Sequence, residues 1–268
     1  MTKQAKSLYR APAPAYLRKT RKSMRKNVWT IAHRGASGHA PENTMAAFRR
    51  AVELGAHFIE TDLQITRDAR VVAIHDPTLD RTTSGKGQVH LLSLKEIRAL
   101  DAGSWFKRDG ASFAGERVPT LREILEFAKE QDVIFYLEIK SGPAWGVEHA
   151  VVAALRDRGA TARVVILSFE PAAIDAVRRV DATIMTGLLC EHPSGDLVER
   201  TVRAGARQLV ARGDLITPEV VDKAHHAGLQ VVAWTINEVE QMRRLLSIPV
   251  DGIITDYPDR LLKIVSES

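Results

Sequence analysis

Two hydrophobic periods alternate along this chain. Short apolar runs at Val28–His33 (VWTIAH), at about His57–Gln64, and near 133–140, 163–168, 183–189, 207–211, 229–234 and 250–255 have the length and composition of buried β-strands. Between them apolar residues recur at three- and four-residue spacing, first at Met45, Phe48 and Val52, then over 121–130, 146–158, 171–179, 195–204, 218–227, 238–246 and 258–265, the pattern of amphipathic helices. Glu42-Asn43-Thr44 supplies a cap for the first helix and Gly55 closes it. Eight strands alternating with helices imply a parallel sheet, and eight such units imply closure into a (β/α)8 barrel. The 268 residues suit that fold, which takes about 250.

The rhythm breaks once. After a turn at Arg67-Asp68 and a short extended run, Val71–His75, a polar and Gly-containing stretch from about Thr82 to Arg117 has only a brief helical pattern, around Leu94 to Leu100. Long connections in compact domains are usually functional loops, so residues 82–117 are expected to form an insertion lying over the strand ends. The barrel domain is expected to span 28–268, preceded by a disordered basic extension over 1–27.

Charge sharpens that boundary. The formal net charge is +5, yet residues 1–26 hold nine Lys or Arg and no acid, leaving 29 basic against 33 acidic residues in the remainder. The body is mildly acidic, so no nucleic-acid partner is expected for it. The tail is suited to weak contact with an anionic membrane surface. Its stretch Leu8–Tyr16 is interrupted by Arg10, Pro12 and Pro14 and lacks the apolar centre of a secretory signal. No apolar run approaches the roughly 20 residues of a spanning helix. Cys190 is the single cysteine, so no intrachain disulfide can form, and a cytoplasmic location is expected.

Four short segments concentrate the candidate chemistry: His33-Arg34-Gly35, Glu60-x-Asp62, His75-Asp76 and Glu138-x-Lys140. Each falls at the C-terminal end of an extended run, where a barrel gathers its functional residues. Carboxylates at i and i+2 of a strand project to one face, so Glu60 and Asp62 together can hold a hard divalent cation.

These segments belong to a longer ordered series: Ile31-Ala32-His33-Arg34-Gly35, Ala40-Pro41-Glu42-Asn43-Thr44, Glu60-Thr61-Asp62, His75-Asp76-Pro77 through Arg81-Thr82-Thr83, Pro119-Thr120-Leu121, Leu137-Glu138-Ile139-Lys140, Trp234-Thr235-Ile236-Asn237 and Ile254-Thr255-Asp256-Tyr257-Pro258. In this series the chain resembles the glycerophosphodiester phosphodiesterase family over nearly everything beyond residue 27. The resemblance implies a metal-dependent hydrolase that splits glycerophosphodiesters into sn-glycerol 3-phosphate and an alcohol, on a barrel with a small insertion after the second strand. It implies that Glu60, Asp62 and Glu138 are the metal ligands, and an all-oxygen set suits Mg²⁺ or Ca²⁺ better than Zn²⁺. It implies that His33 and His75 are the acid–base pair, with neither role assigned to either. Arg34 and Lys140 suit neutralisation of the phosphodiester. Trp234 suits either packing against substrate carbons or plugging the barrel top, and Glu42 either supports Arg34 and its neighbours or belongs to the helix cap. Cys190-Glu191-His192 reads as a buried thiol followed by a solvated loop, and His225 and His226 as outside residues of a helix.

One position departs from the family pattern. Ala69 stands where members commonly carry Gly, and a turn requiring positive φ there costs Ala about 1 kcal/mol. Two competing functions use the same residues or none of them: a lysophospholipase D-type hydrolase working on lipid headgroups at a membrane, and a tail-borne tether with a passive barrel. The retained strand-end motifs argue against the second.

Overall fold

The computed structural model describes residues 28–108, 110–140 and 146–267; the basic extension expected over 1–27 lies outside them. Eight parallel strands close into a barrel: β1 (Trp29–Ala32), β2 (Phe58–Ile65), β4 (Ile134–Ile139), β5 (Val164–Ser168), β6 (Met185–Cys190), β7 (Gln208–Arg212), β8 (Gln230–Trp234) and β9 (Gly252–Thr255). Each pairs with the next, and β9 returns to β1 with Ala32 opposite Thr255. The remaining strand, β3 (Val71–Ala73), runs antiparallel to β2 and lies outside the closed ring.

Helices α1 (Met45–Glu53), α3 (Leu121–Glu130), α4 (Val147–Asp157), α5 (Pro171–Val180), α6 (Leu197–Arg203), α7 (Pro218–His226), α8 (Val239–Leu246) and α9 (Pro258–Glu267) follow the eight barrel strands; α2 (Leu94–Arg98) lies in the connection after β3. Their starts follow from local chemistry. Thr44 caps α1 by accepting from Ala47 N, and Thr120 and Glu123 form a reciprocal capping box on α3. The boundaries agree with the sequence pattern to within two or three residues.

Alternation along the strands sorts the side chains into two cores. Trp29 and Ile31 of β1, Phe58 of β2, and Ile134 and Tyr136 of β4 fill the barrel interior. Ile59 and Leu63, of the opposite parity, pack outward against α1 and α3. Trp29, Phe58 and Tyr136 pack in series, one pair tilted and the other edge to face, with ring centroids 5.8 and 6.2 Å apart. All three are almost fully buried, and truncating one of them to Ala would cost about 3–5 kcal/mol. The same inward parity continued toward the C-terminal ends reaches His33, Glu60 and Asp62, Glu138, and Trp234, so the apolar plug ends in a charged layer.

The connection between β3 and α3 has a small core of its own, in which Val72, Ile74, Leu79, Val89, Ile97, Ala102 and Val118 are buried together. It is tied back to the barrel by Arg98, whose guanidinium pairs with Glu123 of α3 (2.8 Å). The Thr66–Arg70 turn leading into β3 places Ala69 at φ 56°, in the left-handed region that favours Gly. The turn is held by Thr66 Oγ1, which donates to Asp68 Oδ1 (2.7 Å) and accepts from Arg70 N (3.0 Å). Among the described residues, no helix is long and apolar enough to cross a membrane.

Candidate active site

The acidic centre follows directly from strand register. Asp62 of β2 lies beside Glu138 of β4 in the parallel ladder, and Glu60 lies one inward position below Asp62. Glu60, Asp62 and Glu138 are all buried and offer ligand oxygens that lie within 4.8 Å of one another. Lys140 enters the same layer with its Nζ 2.8 Å from Asp62 Oδ1 and 2.7 Å from Glu138 Oε1. One ammonium thus faces two buried carboxylate oxygens. Three buried carboxylates this close together are costly without further positive charge, and together they fit a hard divalent cation.

The electrostatics agree with an incomplete charge balance. Burial, then repulsion from Asp62 and Glu138, pushes the Glu60 carboxyl well above its ordinary range. Burial and Asp62 raise Glu138 to about 7. Burial acts on Asp62 in the same direction, but Lys140 and Arg34 outweigh it and hold that carboxyl below its usual range. Two fixed cations against three carboxylates thus leave the charged state of the triad unfavourable, and a divalent ion would reverse this.

Arg34 is placed by an unusual backbone. Its φ is 53°, and the turn is held by its own N, which donates to Glu60 Oε2 (3.0 Å), and its carbonyl, which accepts from Asn43 N (3.0 Å). Gly35 must follow: at φ 81° a Cβ there would sit 2.6–2.8 Å from atoms of Ala47. The Arg34 guanidinium donates to Glu42 Oε1 (2.8 Å) and lies 3.2 Å from Asp62 Oδ2.

Each histidine stands against a carboxylate. His33 Nδ1 donates to Asp256 Oδ1 (2.7 Å), while its Nε2 lies 3.9 Å from Glu60 Oε2. Asp256 is oriented by Ser37 Oγ (2.8 Å) and Asn237 Nδ2 (2.6 Å). Although burial pushes it up, the bonds from His33, Ser37 and Asn237 bring its pKa down to about 2. His75 Nδ1 donates to Asp76 Oδ1 (2.7 Å). Its backbone is fixed beside β2 by Gln64, whose side chain donates to the His75 carbonyl (3.1 Å). Burial lowers the His75 pKa. With Nδ1 committed in both rings, Nε2 is the nitrogen left for chemistry.

All eight residues singled out by sequence gather at this end of the barrel. His33, Arg34, Glu60, His75, Glu138, Lys140 and Trp234 line one cavity of about 230 Å³, and Asp62 is in contact with two of them, Arg34 and Lys140. Trp234 forms part of the wall, its Nε1 donating to the Val210 carbonyl (3.0 Å). Glu42 serves Arg34, and Thr44 does the helix capping.

Four further residues complete the site. Asn43, at φ 54°, accepts from Thr61 Oγ1 (2.6 Å) and donates to Asp62 Oδ2 (2.8 Å), which orients the central carboxylate. Arg81 clamps Asp76 and Glu42 together with two contacts to each, at 2.7 and 2.9 Å and at 2.8 and 2.8 Å. Asp256 backs His33, and Asp76 backs His75. The adjacency of His75 and Asp76 was a usable signal; nothing local pairs His33 with a residue 223 positions away. The segment Cys190-Glu191-His192 is as expected, with Cys190 buried and Glu191 and His192 exposed, and Glu191 also lines the cavity.

Comparison with known proteins shows the family. Residues 33–260 match the glycerophosphoryl diester phosphodiesterase family. The chain is 41% identical over 237 residues to a glycerophosphodiester phosphodiesterase of Caldanaerobacter subterraneus subsp. tengcongensis, covering 88% of this chain and 96% of that one. It is 33% identical over 254 residues to a Bacillus subtilis glycerophosphodiester phosphodiesterase, covering 88% and 86%. A solved phosphodiesterase structure from Oleispira antarctica, in complex with the product sn-glycerol-3-phosphate, superimposes with a TM-score of 0.79 at 30% identity, covering 89% of this chain and 96% of that one. A match across most of the chain, with the acidic triad and both histidines inside the matched span, makes this chain a member of the glycerophosphoryl diester phosphodiesterase family.

Proposed function

We propose that the protein hydrolyses glycerophosphodiesters to sn-glycerol 3-phosphate and an alcohol, with His33 and His75 as the acid–base pair. The observation that carries this reading is the convergence in one cavity of an acidic triad, two cations and two carboxylate-backed histidines. The product held by the Oleispira antarctica phosphodiesterase supports the same substrate class.

Glu60, Asp62 and Glu138 would hold one divalent cation, Mg²⁺ or Ca²⁺, which when bound neutralises phosphoryl oxygens and draws charge from phosphorus. Arg34 and Lys140 bind the remaining phosphate oxygens and stabilise the extra charge of the pentacovalent transition state. His75, whose pKa burial lowers, takes the proton of the glycerol 2-hydroxyl at Nε2. That oxygen attacks phosphorus in line, and the bond from phosphorus to the headgroup oxygen breaks. His33, held through Nδ1 by Asp256 with its Nε2 turned toward Glu60, gives its proton to the departing alkoxide. A cyclic phosphate bridging the glycerol 2- and 3-oxygens results; with the roles exchanged, water attacks phosphorus and the 2-oxygen leaves, giving glycerol 3-phosphate.

The test is release of glycerol 3-phosphate from a panel of glycerophosphodiesters, after EDTA and after Mg²⁺, Ca²⁺ or Mn²⁺ is restored. Chelation should abolish turnover and one of the ions should return it. His33→Ala and His75→Ala should each lower kcat at least ~100-fold with metal binding retained. A substrate lacking the 2-hydroxyl should be poor; its normal turnover would replace the cyclic route by direct attack of water.

A further inference from the structure

The cavity has two unlike walls, and the chemistry above occupies only one. The ends of β1, β2 and β4 supply the charged groups. The opposite side is made by Phe169 just after β5, Leu189 and Glu191 at the end of β6, and Trp234 at the end of β8. The rings of Phe169 and Trp234 meet edge to face, with centroids 5.7 Å apart and planes at 80°, so they form an aromatic corner. Trp234 has a single hydrogen-bond donor, and it is spent on the Val210 carbonyl. This corner therefore offers a ligand π surface and apolar contact and no hydrogen bond from the indole. Glu191 adds a half-exposed carboxylate to the same wall, its Oε2 3.6 Å from Nε2 of the exposed His192. Arg212 lies within electrostatic reach of Glu191 but makes its hydrogen bonds to Asp214, at 2.6 and 2.8 Å.

An aromatic corner with a carboxylate beside it recognises a weakly hydrated organic cation through the ring quadrupoles and direct charge attraction. A polyol placed there could donate to Glu191 but would gain neither the ring-quadrupole attraction nor the charge attraction that a cation gains. An anionic headgroup would meet Glu191. We infer that Phe169, Trp234 and Glu191 form the subsite for the departing alcohol, and that it selects a positively charged amino alcohol such as choline over neutral and anionic alcohols. This assignment rests on the phosphodiesterase reading and narrows its substrate class.

The test compares kcat/KM for glycerophosphocholine and glycerophosphoglycerol, in the full-length protein with saturating metal. The native protein should prefer the choline ester at least about tenfold, equivalent to about 1.4 kcal/mol. Glu191→Gln and Phe169→Leu should each cut that ratio by roughly fivefold to tenfold, through the choline ester. Equal turnover of both esters by the native protein, or an unchanged ratio in Glu191→Gln, would overturn the headgroup assignment while leaving the phosphodiesterase reading intact. Absence of turnover on both esters would overturn the phosphodiesterase reading, and the subsite with it.

Discussion

Replacing Arg81 by Met tests whether the clamp seen in the structure positions the reacting groups. The guanidinium makes two contacts with Asp76 and two with Glu42, and these in turn hold His75 and Arg34. It also holds the Asp76 carboxyl well below its usual range, chiefly through its hydrogen bonds. The Arg81 side chain is 44% exposed, so its ion pairs are discounted for solvent and the expected loss of stability is only about 1–2 kcal/mol despite the bidentate geometry. For a domain of this size that corresponds to roughly 2–8 °C in Tm. The effect on turnover is expected to be larger. Without Arg81, Asp76 loses two directed donors and the His75 ring loses its fixed backing, and a displacement of about 1 Å in a reacting group can cost on the order of 100-fold. We expect kcat to fall 10- to 100-fold in Arg81→Met, by the same geometric argument. KM should change less, because Asp62 still holds Arg34. Arg81→Lys, which keeps the charge but cannot form both forks, should be intermediate. Steady-state release of glycerol 3-phosphate, together with a melting curve showing a folded protein at the assay temperature, decides the matter. A kcat within about twofold of the native value in folded Arg81→Met would refute the positioning role, since a displacement of even 1 Å predicts far more.

Ala69→Gly should raise stability by about 1 kcal/mol, or roughly 2–4 °C in Tm, because Ala69 sits at φ 56°; a lower or unchanged Tm would contradict the strain. The pH dependence of metal binding follows from Glu138, raised to about 7 by burial and Asp62. Its protonated form favours the metal-free fold below the ordinary carboxylate range, and that contribution is lost as pH rises through about 7. A cation needs the carboxylate, so calorimetric Mg²⁺ or Ca²⁺ affinity should weaken as pH falls through about 7; a flat profile would argue against the triad as the site. Deleting residues 1–26 should leave kcat on soluble glycerophosphodiesters unchanged, since the barrel pattern begins at Val28; a large loss in the folded truncated protein would show otherwise.

What the sequence by itself determined was everything governed by local periodicity. An interval of two places Trp29, Ile31 and His33, or Phe58, Glu60 and Asp62, on one side of a strand whatever surrounds it, and eight repeats of strand and helix leave few ways to close a sheet. The triad, the two histidines and the cations were therefore legible as strand-end residues. The turn at Arg67-Asp68 was legible too, whereas the positive φ at Ala69 was suggested only by the Gly that family members commonly carry there. Only the tertiary structure decided which partners those residues have. Closure of β9 onto β1 brings Asp256 to His33; a left-handed residue at the head of α1 aims Asn43 at Asp62. The chain segment after β3 folds over so that Arg81 joins Glu42 to Asp76, and the barrel's circumference places Glu191 and Phe169 across from the cations. These relations join residues far apart in the chain, where no repeat constrains their spacing, and they exist only once burial of the barrel interior has fixed the strands around a common axis.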